Sequence, residues 1–148
     1  MGTIDRRTYR PAGARMTSEA AQIWREMRAL MLEVHDTRRA VAEATGMSFL
    51  RAKLLIKLLA GDRTVTELAD LLASDVPYVS LNVRELEQRD LVVRTEDPHD
   101  RRRRIIGLTD TGRRLAEKAR TIADAPPPEF TALPPEDLAH LRRILRLP

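Results

Sequence analysis

The sequence predicts a mainly α-helical protein with one small β-hairpin, folded as one compact domain. Apolar residues recur every three or four positions through most of the 148 residues, which is the spacing of a buried helix face. Only two short runs, residues 91–95 and 104–108, have the apolar, β-branched composition of strands. Because strands do not alternate regularly with helices, we expect these two runs to pair with each other and form no parallel sheet.

The chain opens with a basic segment and a long helix. Residues 1–16 combine four arginines with proline and glycine, which predicts a flexible basic arm. A solvated terminus is the simpler interpretation of this arm, and contact with phosphates is the alternative. One helix is expected from Thr17 to Thr45, with Gly46 as its stop. A small domain cannot cover so long an apolar face, so residues 17–46 are expected to serve partly in dimerisation.

The next segment predicts a core helix. Ser48 is suited to cap a helix over Phe49–Ala60, and Gly61 is suited to end it. Five leucines lie on one stripe of this helix and should pack in the interior: Leu50, Leu54, Leu55, Leu58 and Leu59.

Two helices joined by a tight turn are predicted next. Val65–Leu72 is a short amphipathic helix, with Thr66 able to cap its start. Residues 73–75 form the turn, and Asp75 caps a second helix that carries Pro77 in its first turn and extends to about residue 89. This order is the pattern of a helix-turn-helix.

The second of these helices has two distinct faces. Val79, Val83 and Leu86 recur at the spacing of one buried stripe. The residues facing outward form a surface about as wide as a DNA major groove: Tyr78, Ser80, Leu81, Arg84, Glu85 and Gln88.

A hairpin with a basic tip follows this helix. Its two strand-like runs flank a polar loop that contains Asp97-Pro98-His99-Asp100. From Arg94 to Arg104 there are five arginines and three acidic residues, which leaves a net charge of 5 − 3 = +2. A charge run is usually a solvated loop, but its position directly after a helix-turn-helix favours contact with DNA.

Several short motifs occur at specific spacing around the hairpin: Leu86-Glu87, Leu91-Val92, Asp97-Pro98-His99-Asp100-Arg101-Arg102, Leu108-Thr109 and Gly112. In this order they closely resemble the winged helix-turn-helix of the multiple-antibiotic-resistance regulator (MarR) family, over about residues 48–115. The resemblance implies a winged helix-turn-helix over residues 47–108, with N- and C-terminal helices that form a homodimer.

The resemblance also implies which residues touch DNA. The recognition helix would present Pro77, Tyr78, Ser80, Leu81 and Arg84 to the major groove, with Thr66 on the preceding helix. The wing would contribute Asp100, Arg101, Arg102 and Arg103. Arg102 takes the minor-groove position, and Asp100 is expected to brace its guanidinium.

Three residues depart from the family pattern. Leu81 stands where a polar or basic residue is common, and Asn82 stands where an apolar one is usual. Asp90 replaces the glycine common at the end of the recognition helix, which Asp tolerates because it enters the left-handed region more readily than most residues.

Residues 109–148 are expected to complete the dimerisation region. Thr109 caps a helix that ends at the triple proline 126–128, and Pro135 opens a last short helix. The expected dimer interface combines both ends of the chain: Ile23, Met27, Leu138, Leu141 and Leu145.

Composition excludes several classes of function. The chain has no cysteine, and its three histidines lie in separate elements, so no metal, no cofactor and no thiol redox sensor are expected. The sequence contains neither a nucleophile elbow nor a phosphate-binding glycine loop, so no motif indicates an enzyme. The net charge of +4 permits a polyanionic partner. No run is apolar enough to span a membrane and no signal peptide is evident, so a cytoplasmic location is expected.

A ligand crevice is the remaining expectation. Many members of the family bind small aromatic or phenolic molecules between the dimer helices and the winged domain, and Trp24, Met31 and His35 are the candidates to line such a crevice. Simple packing is the alternative role for the single tryptophan. The sequence thus predicts a homodimeric, sequence-specific DNA-binding regulator, with a winged-helix protein-interaction module as the competing interpretation.

Overall fold

The computed structural model describes residues 18–147, so the expected basic arm and the Thr17 cap lie outside the described residues. Mainly helical structure with a single antiparallel hairpin is confirmed over this range. In chain order its elements are α1 (Ser18–Ala29), a π-helical turn (Leu30–Val34), α2 (Thr37–Thr45), α3 (Phe49–Leu58), α4 (Val65–Leu72), α5 (Val76–Gln88), β1 (Val92–Asp97), β2 (Asp100–Leu108), α6 (Asp110–Ala123), α7 (Pro128–Thr131) and α8 (Pro135–Ile144).

The chain divides into two compact units. Asp36–Ala125 is the central unit, and Met1–His35 with Pro126–Pro148 is the terminal unit. The winged helix-turn-helix boundaries expected at residues 47 and 108 stay a prediction. In the structure α2 and α6 belong to the central unit, because both pack with α3. The dimerisation role of the flanking segments stays a prediction.

The central unit has a continuous hydrophobic core around α3. Leu54 and Leu55 are fully buried and Leu58 is nearly so, while Leu50 and Leu59 pack partly buried against them, as the leucine stripe predicts. The other helices and β2 complete the core with Val41, Leu68, Val79, Val83, Leu86, Ile106, Ala116 and Ala119. Burial of this apolar set from six elements fixes α5 and the hairpin against α3.

The expected single helix from Thr17 to Thr45 is wrong, because it is interrupted in its second half. The π-helical turn ends at Val34, and His35 leaves helical geometry with φ −115° and ψ 60°. Asp36 then caps α2 by accepting the Arg39 N–H at 3.3 Å. An aspartate competes with the helix for backbone N–H groups, so it starts a new helix more readily than it continues one. The stop at Gly46 is confirmed by its φ of +64°.

The terminal unit has a different character. None of its described residues with a burial assignment is fully buried, although α1, α7 and α8 are rich in apolar side chains. His35 Nε2 lies 2.9 Å from Glu129 Oε2, which joins the end of the π-helical turn to α7. The pKa of Glu129 is lowered by a hydrogen bond from its own backbone N–H and then by His35.

The described helices include none with the length and apolar character needed to cross a membrane.

Candidate nucleic-acid interface

The first helix of the helix-turn-helix is fixed by a reciprocal cap. Thr64 Oγ1 accepts the Glu67 N–H at 3.2 Å, and Glu67 Oε2 accepts the Thr64 N–H at 2.7 Å. The expectation that Thr66 caps this helix is therefore wrong: Thr66 lies inside the first turn and is exposed, whereas Thr64 has the extended backbone that a cap requires. The two hydrogen bonds from Thr64, backbone first, lower the pKa of Glu67.

The turn and the recognition helix α5 follow the expected plan. Ala73 adopts a left-handed φ of +50°, which reverses the chain after α4. Asp75 then caps α5 by accepting the Tyr78 N–H at 2.8 Å, and Pro77 occupies the first turn, where a missing N–H costs nothing. Val79, Val83 and Leu86 are fully buried, which confirms the predicted inner stripe.

The opposite face of α5 is exposed. At 3.6 residues per turn, four side chains lie on the line opposite the buried stripe: Pro77, Leu81, Arg84 and Gln88. Leu81 is 51% exposed and is flanked by Tyr78, which is 50% exposed. Ser80 is half-buried at the other flank. Of the residues expected to touch DNA, Pro77, Tyr78, Leu81 and Arg84 thus share one accessible surface.

The acidic side chains of α5 are both held by arginines from other elements. Glu85 forms an ion pair with Arg51 of α3, and Glu87 Oε2 lies 2.8 Å from Arg94 Nε of β1. Arg84 forms no ion pair with any residue of the described range. The outward face of the helix is therefore positive in sign, because its negative charges are neutralised at the flanks.

Asn82 is a structural residue whose role the sequence did not reveal. It is 3% exposed, its Oδ1 accepts Arg51 Nε–H at 3.0 Å, and its Nδ2 donates to the Tyr78 carbonyl at 2.8 Å. Arg51 thus joins Asn82 and Glu85 and ties α3 to α5. The only sequence signal is a polar residue beside the buried stripe, since the partner lies 31 positions away.

The wing is longer than expected. β1 and β2 pair from Val92↔Leu108 to Asp97↔Asp100, so the polar loop shrinks to Pro98 and His99. The backbone of Arg63 pairs with Ile106 on the other edge of β2, with N–O distances of 3.1 and 2.7 Å. This pairing anchors the base of the hairpin to the segment just before α4.

The wing arginines differ in their partners. Arg103 lies 3.5 Å from Glu67 and 3.8 Å from Asp97, and Arg104 lies 3.0 Å from Glu96. Arg102 is exposed and forms no ion pair within the described part of the chain. The side chain of Arg101 lies outside what the structure describes.

Asp100 acts on Arg102 in a different way from the one expected. Its Oδ1 accepts the backbone N–H of Arg102 at 3.0 Å. The expectation that Asp100 braces the guanidinium is therefore wrong, because the carboxylate binds the backbone instead. A carboxylate two residues before an N–H closes a local turn, which is the geometry realised at this wing tip.

The junction after the wing explains the Leu-Thr-x-x-Gly motif. Asp90 enters the left-handed region at φ +53°, as expected, and its carbonyl accepts Thr109 Oγ1–H at 2.8 Å. Thr109 Oγ1 in turn accepts the Gly112 N–H at 3.0 Å and caps α6. A Cβ at Gly112 would lie 1.8 Å from the Leu91 carbonyl oxygen, so only glycine fits this position.

The remaining candidate residues lie in the terminal unit. Trp24 is 59% exposed and Met31 is 50% exposed, while His35 is engaged by Glu129. The expected interface residues are half-buried or exposed in the single chain: Ile23, Met27, Leu138, Leu141 and Leu145. The ligand crevice and the dimer interface stay predictions. Within residues 18–147 no group of three His, Asp or Glu side chains is arranged to hold a metal ion.

Comparison with known proteins finds similar sequence and geometry in one family. Residues 45–103 match the model of the MarR family. No curated protein sequence matches the chain. Among solved structures, Sco3205 from Streptomyces coelicolor in complex with DNA is 27% identical, covers 93% of this chain and 90% of its own, and has a TM-score of 0.66.

Two further structures are similar to the same extent. CouR from Rhodococcus jostii RHA1, bound to p-coumaroyl-CoA, is 26% identical over 87% of this chain and 90% of its own, with a TM-score of 0.67. A mutant of S. aureus MepR is 25% identical over 85% and 93%, with a TM-score of 0.68. The matched helix-turn-helix, the wing and these neighbours agree: the described chain has the winged helix-turn-helix fold of MarR-family DNA-binding transcription regulators, and its residues 45–103 match the model of that family.

Proposed function

We propose that the protein is a homodimeric repressor that binds a near-palindromic operator and is released by a small aromatic ligand. The observation that carries the proposal is the arrangement of charges on the exposed face of α5 and on the wing. Glu85 and Glu87 are both neutralised by arginines, while Arg84 on α5 and Arg102 on the wing keep guanidinium groups that no described side chain neutralises. Such a surface suits a major groove beside a minor groove.

The dimer supplies the spacing between two such surfaces. Two copies of α5, one from each subunit, would enter successive major grooves about 34–36 Å apart on a two-fold symmetric site. The apolar side chains of α1 and α8 that stay exposed in the single chain support a second copy as their partner.

An effector would act through the same dimer. CouR is bound to p-coumaroyl-CoA, a thioester of an aromatic acid. We propose that Trp24, Met31 and His35 line an aromatic-ligand crevice, because they follow one another along α1, its π-helical turn and the residue directly after that turn. A ligand that changes the separation of the two α5 helices would lower affinity for an operator of fixed repeat. A cytoplasmic location fits this function.

The test compares Arg102→Ala with Arg84→Ala by fluorescence anisotropy, over a salt series, on the promoter of the protein's own gene and on random duplex. Arg102→Ala should weaken binding to both duplexes and reduce the slope of log K against log salt by about 0.9 per phosphate contact, roughly 2 per dimer. Arg84→Ala should cost about 1–3 kcal/mol per contact on the operator and far less on random DNA.

The competing candidate is a winged-helix module that binds an acidic protein and reads no sequence. The exposed Leu81 at the centre of the α5 face favours it, since apolar side chains are common at protein interfaces. Equal affinity of the unmodified protein for promoter and random duplex would support this module. An Arg102→Ala protein with unchanged affinity and salt slope would remove the wing from the DNA contact.

A further inference from the structure

We infer that Leu81 makes α5 a reader of the thymine C5-methyl group, so that each half-site of the operator carries thymine at one fixed major-groove position. The inference rests on the proposed function, because it assigns the chemical group that the same helix reads. It turns the departure of Leu81 from the family pattern into a specificity determinant.

The position of Leu81 on α5 is the first reason. It lies almost directly opposite the buried Val79 and Val83, and its side chain is 51% exposed. Pro77 lies one turn before it on the same line and Arg84 about one turn after it. The half of the helix nearest its N-terminus therefore presents an apolar surface, and recognition helices contact base edges with their N-terminal residues.

The chemistry of the major groove is the second reason. Every base pair presents hydrogen-bond donors and acceptors there, but among the four standard bases only thymine adds an apolar group, its C5-methyl. A leucine placed on donors and acceptors would remove their water without replacing the hydrogen bonds. The same leucine placed on a methyl group buries two apolar surfaces together, which should raise affinity about fourfold for each methyl group covered.

The charges around Leu81 support DNA as the occupant of this face. Glu85, the acidic residue nearest to it on α5, is held by Arg51, and Glu87 is held by Arg94. Arg84 lies on the same exposed line. Leu81 is thus an apolar side chain within a positive surface, which matches a thymine methyl group between phosphates.

The experiment starts with selection of a bound duplex from a random library by the unmodified protein. Each thymine of the selected site is then replaced by deoxyuridine, which removes the methyl group and keeps the hydrogen-bonding edge. At one position in each half-site the replacement should lower affinity about fourfold, and about fifteenfold when both half-sites are changed. With a cytosine there instead, 5-methylcytosine should bind about fourfold more tightly than cytosine.

Leu81→Ala tests whether Leu81 is the group in contact. This variant should lose a similar factor on the thymine duplex and should show no further loss on the deoxyuridine duplex. Leu71→Ala is the matched control, because Leu71 is also an exposed leucine of the helix-turn-helix, at 43%, but lies on α4. It should keep the full sensitivity to the methyl group.

The outcomes separate the inference from the function on which it rests. If no sequence is enriched over random duplex, the proposed function fails and the inference fails with it. If a site is enriched but its thymine and deoxyuridine forms bind equally, only the inference is overturned. A Leu81→Ala protein that keeps the sensitivity to the methyl group also overturns it, because another residue then contacts that group.

Discussion

The two units of the chain differ in how far they bury their apolar side chains. In the central unit, side chains from α2 to α6 bury one another, and nine large residues are essentially inaccessible to solvent. In the terminal unit, helices of similar composition leave Trp24, Val34 and Ile144 at 59–65% exposure. The central unit thus buries its own hydrophobic core, whereas the described part of the terminal unit does not.

This difference separates the residues that hold α5 and the wing in place from the residues that stay available for dimer contacts. Burial holds α5 and the wing in the central unit, and three ion pairs join them to each other or to α3 and α4: Arg51–Glu85, Arg94–Glu87 and Arg103–Glu67. Among the described residues of the terminal unit, the close polar contact between elements is that of His35 Nε2 with Glu129, at 2.9 Å. We therefore expect mutations in the central unit to change stability first, and mutations in the terminal unit to change assembly first.

The largest expected effect concerns the terminal unit. Replacing Leu141 and Leu145 together by Asp would place charge where a second copy is proposed to pack, and should convert the dimer to a monomer. A monomer engages one half-site, so operator affinity should fall by a factor of about 10²–10⁴ through lost bivalency. Light scattering measures the mass of the particle, and fluorescence anisotropy measures its affinity for the operator. A monomeric, well-folded unmodified protein would contradict the contrast between the units.

The next effect belongs to the central core. Leu54→Ala removes a fully buried side chain of α3 and should lower the free energy of unfolding by about 2–5 kcal/mol. The matched substitution Leu71→Ala, at a 43% exposed leucine, should change it by less than about 0.5 kcal/mol. Urea denaturation at constant protein concentration gives both values. Equal losses would mean that α4 packs on something that the single chain does not contain.

A smaller effect is expected from the polar link between α3 and α5. Asn82→Ala leaves Arg51 Nε without its side-chain acceptor and should cost about 1–3 kcal/mol of stability. It should also weaken operator binding more than random binding, because α5 loses a contact that sets its orientation. Comparing the two duplexes measures this preference. A protein with unchanged preference would reduce Asn82 to a packing residue.

Local patterns predicted most of the helix-turn-helix. The buried stripe of α5, the Asp75 cap and the stop at Gly46 each depend on residues close together in the chain, so periodicity and capping preferences suffice. The apolar spacing continues across the helix break at Asp36, so periodicity alone does not reveal that break. Thr64 and Thr66 are equally good caps of α4 by residue type, so the sequence does not show which of the two caps the helix.

The pairing of charges could not be predicted from the sequence. Arg51 and Glu85 are 34 positions apart (85 − 51), and they meet only because α3 and α5 pack against each other. The strand register and the position of Glu67 decide which arginines of the wing meet a carboxylate and which do not. The composition of the wing gives its net charge, whereas the availability of Arg102 follows from tertiary structure.

The smallest expected effect tests the cap that fixes α4. Thr64→Ala should lower the free energy of unfolding by about 1 kcal/mol, the usual loss for a threonine cap. Glu67→Gln should act with a defined pH dependence, because hydrogen bonds from Thr64 lower the pKa of Glu67 from its ordinary value of 4.5. The ionised carboxylate is favoured in the folded state, so its contribution is present above about pH 4.5 and is lost as the pH falls through the lowered pKa.

Urea midpoints of the unmodified protein and of Glu67→Gln, measured from pH 7 to pH 3, check this expectation. The two curves should be separated near neutral pH and should converge on the acid side, because the carboxylate of the unmodified protein is then protonated as well. Thr64→Ala combined with Glu67→Gln should cost less than the sum of the two single losses, since both substitutions break the same reciprocal cap. A separation that stays constant down to pH 3, together with strict additivity, would mean that Glu67 acts through packing and not through its ionised carboxylate in the cap.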